Sequence, residues 1–499
     1  MNLCDCSDIR ELEKSYISGD LSRGYHLMHR AGYLFSAVIN ASSERFSRAV
    51  ILAGKGNNGG DALVIARYLN IPCVIYSVCA KSDYSGEAAY AVRDLPENIP
   101  YFQRETLFYD DFMPGDIIID GLLGIGFSGR TVTGSAANFI EVANASGLPV
   151  VSCDVPSGVN GSTGFAAENA MKADCTVMFG AVKKGLLESH ASTYCGRLRF
   201  LDIGLDNQNV CGGCYTVNEA YSDAARWQYD VHKNTRPRIL ISGGCRNYSG
   251  AAQLNMLAAL RSGAGIVRLI TADKNVPRCA LAGIVIGCES KFDDVYPENA
   301  VSDNFSLFEK SDCLLAGSGW GMADKKVLAD VLTFPRTLVL DADALNALSR
   351  NPEVWNYRSD TVLTPHYGEA CRLADAFGVE KSADKRVLAR NLAEKLNAVV
   401  VLKGPNTVTC SPDGELWINS SGSPALATAG SGDVLAGIVA ASAAGVSVGS
   451  TLCRRAAFAV WVHGMAGECF DGTLIADDLP FAAGKIINDL VDKRIFKIF

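Results

Sequence analysis

Short apolar runs that stop at glycine and acid recur along this chain, and helix-like segments separate them. In the first half, Arg48-Ala-Val-Ile-Leu-Ala53 runs into Gly54-Lys-Gly-Asn-Asn-Gly-Gly-Asp61 and then into Ala62-Leu-Val-Ile-Ala-Arg-Tyr-Leu69. Asp116-Ile-Ile-Ile-Asp120 runs into Gly121-Leu-Leu-Gly-Ile-Gly-Phe-Ser-Gly-Arg130, and Leu148-Pro-Val-Val-Ser-Cys-Asp154 into Val155-Pro-Ser-Gly158. The second half repeats the pattern at residues 238–244, 266–270, 312–319, 337–341, 361–366 and 398–403. Continuous apolar runs bounded by turn residues read as strands buried on both faces. Strands alternating with helices imply an α/β fold with parallel, doubly wound sheets, whose ligands bind beyond the carboxyl ends of the strands.

With 499 residues and roughly 100–200 residues per domain, two large domains are expected. The pattern dissolves past Asp206 and resumes at Arg238, so the boundaries are set at 1–220 for the first domain, 221–237 for a linker and 238–499 for the second. A composition 48% hydrophobic and only 20% charged fits a well-packed enzyme and excludes a disordered chain. The net charge of −8 leaves no basic stripe to displace counterions, which argues against nucleic-acid binding. Cysteines scattered singly through apolar segments, such as Cys73, Cys153, Cys175, Cys313 and Cys453, fit buried thiols in a reducing cytoplasm. Cys211-Gly-Gly-Cys214 lacks a second pair or nearby histidines and reads as a turn. The N-terminus has no apolar core of signal length. Residues 434–453 are uncharged and long enough to span a membrane. Their glycines and serines point instead to two buried helices joined near 445–449.

Three features carry the chemistry. The loop Gly54 to Asp61 between strand and helix presents backbone amides to a phosphate. No acid follows the next strand at the spacing a dinucleotide ribose needs, so a plain NAD-dependent dehydrogenase is disfavoured. Asn58, Asp120 and Ser157 are hard oxygen donors at adjacent strand ends, which suits a monovalent or hard divalent cation. In the second half, Lys403-Gly-Pro-Asn-Thr407 offers a cation and amides for nucleotide phosphates. Ala429-Gly-Ser-Gly-Asp433 leads into a helix, combining an anion seat with a carboxylate able to act as a base. His366, after a Thr-Pro turn, serves either as a helix cap or as a substrate ligand, whereas His463 lies within an apolar helix and reads as packing.

Gly54-Lys-Gly-Asn-Asn-Gly-Gly-Asp61, Asp120-Gly-Leu-Leu-Gly-Ile-Gly126 and Asp154-Val-Pro-Ser-Gly158 resemble the epimerase domain of the NAD(P)H-hydrate repair enzymes. Thr364-Pro-His-Tyr-Gly-Glu369, Lys403-Gly-Pro-Asn-Thr407 and Ala429-Gly-Ser-Gly-Asp-Val-Leu-Ala-Gly437 resemble their dehydratase domain, and the domain order is that of the fused enzyme. The resemblance implies a Rossmann-like first domain that interconverts R and S NADHX and NADPHX, with potassium on Asn58, Asp120 and Ser157. It places substrate on Asn57, Asn58, Gly59, Gly60, Asp61, Gly124, Ile125, Gly126, Phe127, Ser128, Gly129, Arg130 and Asp154, with Asp154 as the proton-transfer group. It also implies a ribokinase-like second domain that dehydrates S-NAD(P)HX with magnesium and ADP, preferred over ATP. There the nucleotide lies on Lys403, Gly404, Pro405, Asn406, Thr407 and Gly432, and the hydrate on Ala252, Gly319, His366 and Asp433, with Asp433 catalytic. Cys245, Asn234 and Ser423-Pro-Ala-Leu426 depart from the family's usual residues, as does Ala62 after Gly60-Asp61. A cytoplasmic homo-oligomer without membrane or nucleic-acid partners is expected. The competing enzymatic reading is a vitamin or sugar kinase with a regulatory first domain; the non-enzymatic one is a nucleotide-sensing module.

Overall fold

The computed structural model describes residues 3–188, 190–205, 213–225, 232–272, 282–290, 292–323, 325–470 and 472–492. The chain forms two compact units, Met1–Cys211 and Gly212–Ile498. The first carries a parallel sheet of β1 (Arg48–Ala53), β2 (Cys73–Ser77), β3 (Tyr101–Gln103), β4 (Asp116–Gly121), β5 (Val150–Cys153), β6 (Cys175–Phe179) and β7 (Arg197–Leu201), in the order β3-β2-β1-β4-β5-β6-β7. The chain moves one way from β1 through β2 and β3, then returns to β4 on the other side. The switch point between β1 and β4 is the place such a sheet opens a ligand crevice. Ile51, Ile119, Leu63 and Phe35 share one core beneath it. The three-residue edge strand β3 carries too little alternation to be read from sequence.

Two glycines are required where the backbone closes on itself. A Cβ on Gly54 would lie 1.8 Å from the Leu122 carbonyl oxygen, and one on Gly59 would lie 1.8 Å from that of Gly54. The glycine loop is also shorter than the motif suggests, because the helix starts at Asn57 rather than Ala62 and runs to Tyr68, with Gly56 before it.

Among the described residues the second unit has ten strands: β8 (Gly213–Tyr215), β9 (Arg238–Ser242), β10 (Ile266–Thr271), β11 (Ile284–Gly287), β12 (Cys313–Ala316), β13 (Thr337–Leu340), β14 (Thr361–Leu363), β15 (Val399–Leu402), β16 (Val408–Cys410) and β17 (Leu416–Asn419). Their order is β8-β17-β16-β15-β14-β13-β12-β9-β10-β11, with β15, β16 and β17 antiparallel and the other pairs parallel. The switch point lies between β9 and β12. Val339, Phe458 and Trp461 belong to the core of this unit.

Main-chain pairing ties residues before the expected linker to the second sheet. β8 joins β17 through Gly213↔Trp417 and Cys214↔Ile418, and Asp223, in the helix Val217–Asp223, pairs with Arg454 at 2.7 Å. The second unit therefore begins before the expected linker, of which residues 226–231 lie outside the described residues. Cys214 sits in an edge strand rather than a turn, while Cys211 and Gly212 lie outside the described residues. The uncharged stretch 434–453 divides as expected. Helix Ser431–Ala441 ends in a π-type turn, Ser442–Val446, with Gly445 at φ 120°, before helix Leu452–Glu468. No helix among the described residues is long and apolar enough to cross a membrane.

Gly54→Ala forces backbone apart at the β1–β4 switch point. It is expected to destabilise the first unit by roughly 1–3 kcal/mol or more, and calorimetric unfolding of the variant checks this.

Candidate active sites

In the first unit the sequence-predicted groups meet at the carboxyl ends of β1, β4 and β5. Asn57 to Asp61 form the opening of the helix after β1, so the positive end of that helix faces the crevice. Asp120 is fully buried and accepts from Ser157 Oγ at 2.5 Å, Ser157 N at 2.9 Å, Ser152 Oγ at 2.8 Å and Leu122 N at 3.2 Å. Burial raises its carboxyl above the ordinary range, against the pull of these bonds. Ser157 Oγ also donates to the Leu123 carbonyl at 3.3 Å, to which Asn58 Nδ2 donates at 2.9 Å. Asn58, Asp120 and Ser157 are thus linked by hydrogen bonds through Leu123. The following loop is opener. Ile125 accepts from Arg10 Nη2 at 2.8 Å and Phe127 N donates to Gly124 at 3.1 Å, while Gly126, Ser128, Gly129 and Arg130 are exposed at the rim.

Asp154 follows β5 with a left-handed φ of 64°, a conformation that costs a residue with a side chain energy and collects at functional sites. Its Oδ1 accepts from Phe179 N at 2.9 Å and from Lys183 Nζ. Lys183 is 1% exposed and donates a second bond to the Phe179 carbonyl at 2.7 Å. Two further acids face this pair. Burial and then Asp154 push Asp61 well above the ordinary carboxylate range and raise Glu13 to about 7. Sequence reasoning missed Lys183 and Glu13. Lys183 and Lys184 are adjacent and chemically alike, and only folding buries one while leaving the other half-exposed against Asp5 at 2.6 Å.

The second unit assembles its groups at the ends of β12 to β15. Lys403, after β15, donates from its backbone N to the Pro365 carbonyl at 2.8 Å, and its ammonium reaches Asp341 at 2.8 Å. Asp341, 2% exposed, also accepts from Thr364 Oγ1 at 2.7 Å and Ser318 Oγ at 3.3 Å. Burial alone lowers the Lys403 ammonium, but Asp341, Glu369 and Asp433 outweigh it and leave the pKa above the usual lysine value. A Cβ on Gly432 would stand 3.6 Å from that ammonium. Gly432 and Asp433 occupy the first turn of helix Ser431–Ala441, entered through Gly430 at φ 88°. Burial and Asp341 raise the Asp433 carboxyl to about 7, with Lys403 and Ser318 pulling against them. The Asp433 carbonyl accepts from Asn255 Nδ2 at 2.6 Å.

The other predicted residues border the same mouth. Gly319 needs its φ of 67°, and a Cβ there would meet the Tyr248 carbonyl at 2.4 Å. Ala252 is buried within helix Ser249–Arg261, under Gly243 and Gly244. His366 caps helix Tyr367–Phe377 through Nδ1, accepting from Gly368 N at 3.0 Å, while more than half of its side chain stays exposed 3.6 Å from Glu369. In the turn after Lys403, Gly404 lies at φ 140° and Asn406 at φ 50°. Thr407 Oγ1 closes it onto the Gly404 carbonyl at 2.9 Å, and Lys385 Nζ donates to the Pro405 carbonyl. Cys245, one of the departures, is buried with its sulfur against Gly321. His463 is buried as expected, but it also binds the Ser431 carbonyl at 3.0 Å, with burial lowering its pKa to about 4, so a neutral imidazole anchors the loop before Asp433. Asp341 went unnamed at the sequence level because acid after an apolar run equally describes a helix cap.

Residues 24–185 match the family described as YjeF-related protein N-terminus, and residues 239–488 match that described as NAD(P)H-hydrate dehydratase. A bifunctional NAD(P)H-hydrate repair enzyme of Coxiella burnetii is 33% identical over 474 residues, covering 92% of this chain and 93% of its own. The chain belongs to the bifunctional NAD(P)H-hydrate repair family. Another member, from Escherichia coli, is 32% identical over 489 residues, covering 94% of this chain and 91% of its own. Among solved structures, this family member is similar to a ribokinase-like superfamily protein of Enterococcus faecalis. That protein is 24% identical, with TM-score 0.49, over 57% of this chain and 98% of the other. It is also similar to the ADP/ATP-dependent NAD(P)H-hydrate dehydratase of Bacillus subtilis, solved with ATP and Mg2+. That one is 23% identical, with TM-score 0.43, over 57% of this chain and 100% of the other.

Asp341→Ala leaves Lys403 buried without its counter-charge and is expected to cost about 3–5 kcal/mol. All five tryptophans follow residue 211, so urea unfolding followed by tryptophan fluorescence reads this loss in the second unit alone.

Proposed function

We propose that the chain repairs hydrated NADH and NADPH, the first unit interconverting R and S hydrates and the second dehydrating the S form at the expense of ADP, or less favourably ATP. Water adds to a dihydropyridine as to any enamine, with the proton on the β carbon and the hydroxyl on the carbon beside nitrogen. The hydroxyl-bearing carbon is the stereocentre. In the first unit Asp154 gives a proton to the departing hydroxyl, the ring nitrogen lone pair forms a C=N bond, water leaves, and the planar ring turns its other face to Asp154 before water adds back to that carbon. Asp154 takes the proton back as the C–O bond forms. The helix beginning at Asn57 and the rim 124–130 hold the dinucleotide's phosphates and orient the ring.

The amide oxygen of Asn58 and the hydrogen-bonded oxygens of Asp120, Ser157 and Leu123 fit potassium, because one buried carboxylate balances one positive charge and every donor is a hard oxygen. When bound, potassium supplies positive charge next to Asp120 and the substrate phosphates.

The observation that carries the second activity is Asp433, in the first turn of a helix whose Gly432 lies against the Lys403 ammonium. Asp433 removes the proton from the hydrate hydroxyl as that oxygen attacks the terminal phosphoryl group, Lys403 and the helix N-terminus hold the phosphates, and ADP leaves as AMP. Loss of phosphate from the carbinol carbon, with loss of the β proton, restores the dihydropyridine. Asp341 and Asp433 would hold a magnesium ion carried by the nucleotide, which would supply positive charge to the phosphates. Lys403 to Thr407 and Gly432 bind the nucleotide, and Ala252, Gly319 and His366 face the hydrate. The first unit extends over 1–211 and the second over 212–498. The described cysteines, present as thiols, suit a reducing cytoplasm, and a homo-oligomeric assembly is part of the same reading.

Incubating mixed NADPHX epimers with the purified chain and ADP is expected to convert all of the hydrate, with free phosphate released and reduced-nicotinamide absorbance regained. A stable phosphorylated product would instead mean a vitamin or sugar kinase. Asp433→Asn is expected to keep nucleotide affinity and lose dehydration by about 10²–10⁴-fold; unchanged turnover would remove Asp433 as the base. Because the base must be ionised and its carboxyl is raised to about 7, dehydration of pure S epimer should rise with pH through about 7 and then level, as read from a kcat profile.

A further inference from the structure

The first unit places one buried ammonium against its reacting carboxylate, and nothing in the reaction as described so far uses it. Lys183 lies in a two-residue strand, Val182–Lys183, paired in parallel with Leu3–Cys4. Its side chain is 1% exposed and its Nζ donates to Asp154 Oδ1 and to the Phe179 carbonyl. A lysine is rarely buried to this degree unless it is paired. The same Oδ1 also accepts from Phe179 N at 2.9 Å, so one carboxylate oxygen is held at two points. Oδ2 accepts no hydrogen bond among the described residues, and the Asp154 side chain keeps 14% of its surface open.

We infer that Lys183 is a positioning residue for epimerisation: it clamps Oδ1 of Asp154 so that Oδ2 alone faces the hydrated ring and exchanges the proton. This rests on the reading of the first unit as an epimerase. The clamp also explains how Asp154 keeps its left-handed backbone, since Lys183 and Phe179 tie the side chain of this strained residue to the end of β6. Charge points the same way. Glu13 and Asp61 both face the pair and are both raised by burial and then by Asp154, while Lys183 opposes that rise, so this ammonium is the cation that the three carboxylates share. Cys6 and Cys153 border the same cluster, with burial raising both thiols. The proton balance is unchanged: Lys183 keeps all of its protons, and the transferred one moves between Oδ2 and the leaving or entering water.

The test uses the full chain with ADP and pure R-NADPHX, where conversion requires the first unit, against pure S-NADPHX, which needs only the second. Lys183→Met keeps the bulk of the side chain and removes the charge. It is expected to turn over S epimer at the wild-type rate while kcat for R epimer falls roughly 100-fold and KM changes by less than about threefold. Lys183→Ala should recover at least about tenfold in kcat when ethylammonium is supplied. Wild-type kcat on R epimer in either variant, a loss carried by KM, or failure of the rescue overturns the proposal. So does loss of the first unit's calorimetric transition in both variants, which would make Lys183 purely structural. If the unsubstituted chain itself leaves R epimer untouched, the epimerase reading fails instead.

Discussion

A buried ammonium has to be matched by a carboxylate, and in each unit that requirement decides how the acids at the sheet edge are arranged. Lys403 is held by Asp341 in the second unit and Lys183 by Asp154 in the first. Removing one partner leaves a bare charge in a poor solvent, a far larger penalty than the modest net gain from forming the pair. The two pairs are used differently. Asp341 serves as counter-ion to Lys403, and burial together with Asp341 raises the neighbouring Asp433 to about 7, the range that suits the base proposed there. In the first unit the paired aspartate is itself the group proposed to exchange the proton.

Parallel sheets make this arrangement economical. Neighbouring strands all end on one side, so residues far apart in sequence arrive together: Asn58, Asp120 and Ser157 in one unit, Ser318, Asp341, Thr364 and Lys403 in the other. Close approach of the loops demands glycine at Gly54, Gly59 and Gly319, which explains why the glycines that mark the motif sit next to the acids. The helices at Asn57 and Ser431 then aim amide dipoles into the two mouths. The departures from the family's usual residues in the second unit do not enter the Lys403–Asp341–Asp433 cluster: Cys245 packs behind Gly321, and Asn234 sits in an exposed turn before the amino end of β9.

Much of this was legible in advance. The apolar runs at 48–53, 116–120, 175–179 and 238–242 became strands at those places because runs buried on both faces have no competing conformation at that length. What escaped were elements without a pattern of their own. β8 is three residues long and owes its existence to β17, so nothing local marked residues 213–215 as part of the second sheet. The first turns of the helix at Asn57 looked like loop because two glycines there oppose helix propensity, and packing against Gly54 and Met28 overrides it.

The sequence by itself determined the fold class and the two-unit order, and it pointed to the glycine loops and to Asp154 and Asp433 as candidates, because glycine spacing and strand-terminal acids are local properties of the chain. Only the tertiary structure decided which lysines and which further acids matter. Lys183 differs from Lys184, Asp341 from any capping aspartate, and Glu13 from other acids of its helix by burial and by the partner each one meets. Both are set by segments tens to hundreds of residues away, and no local pattern records them.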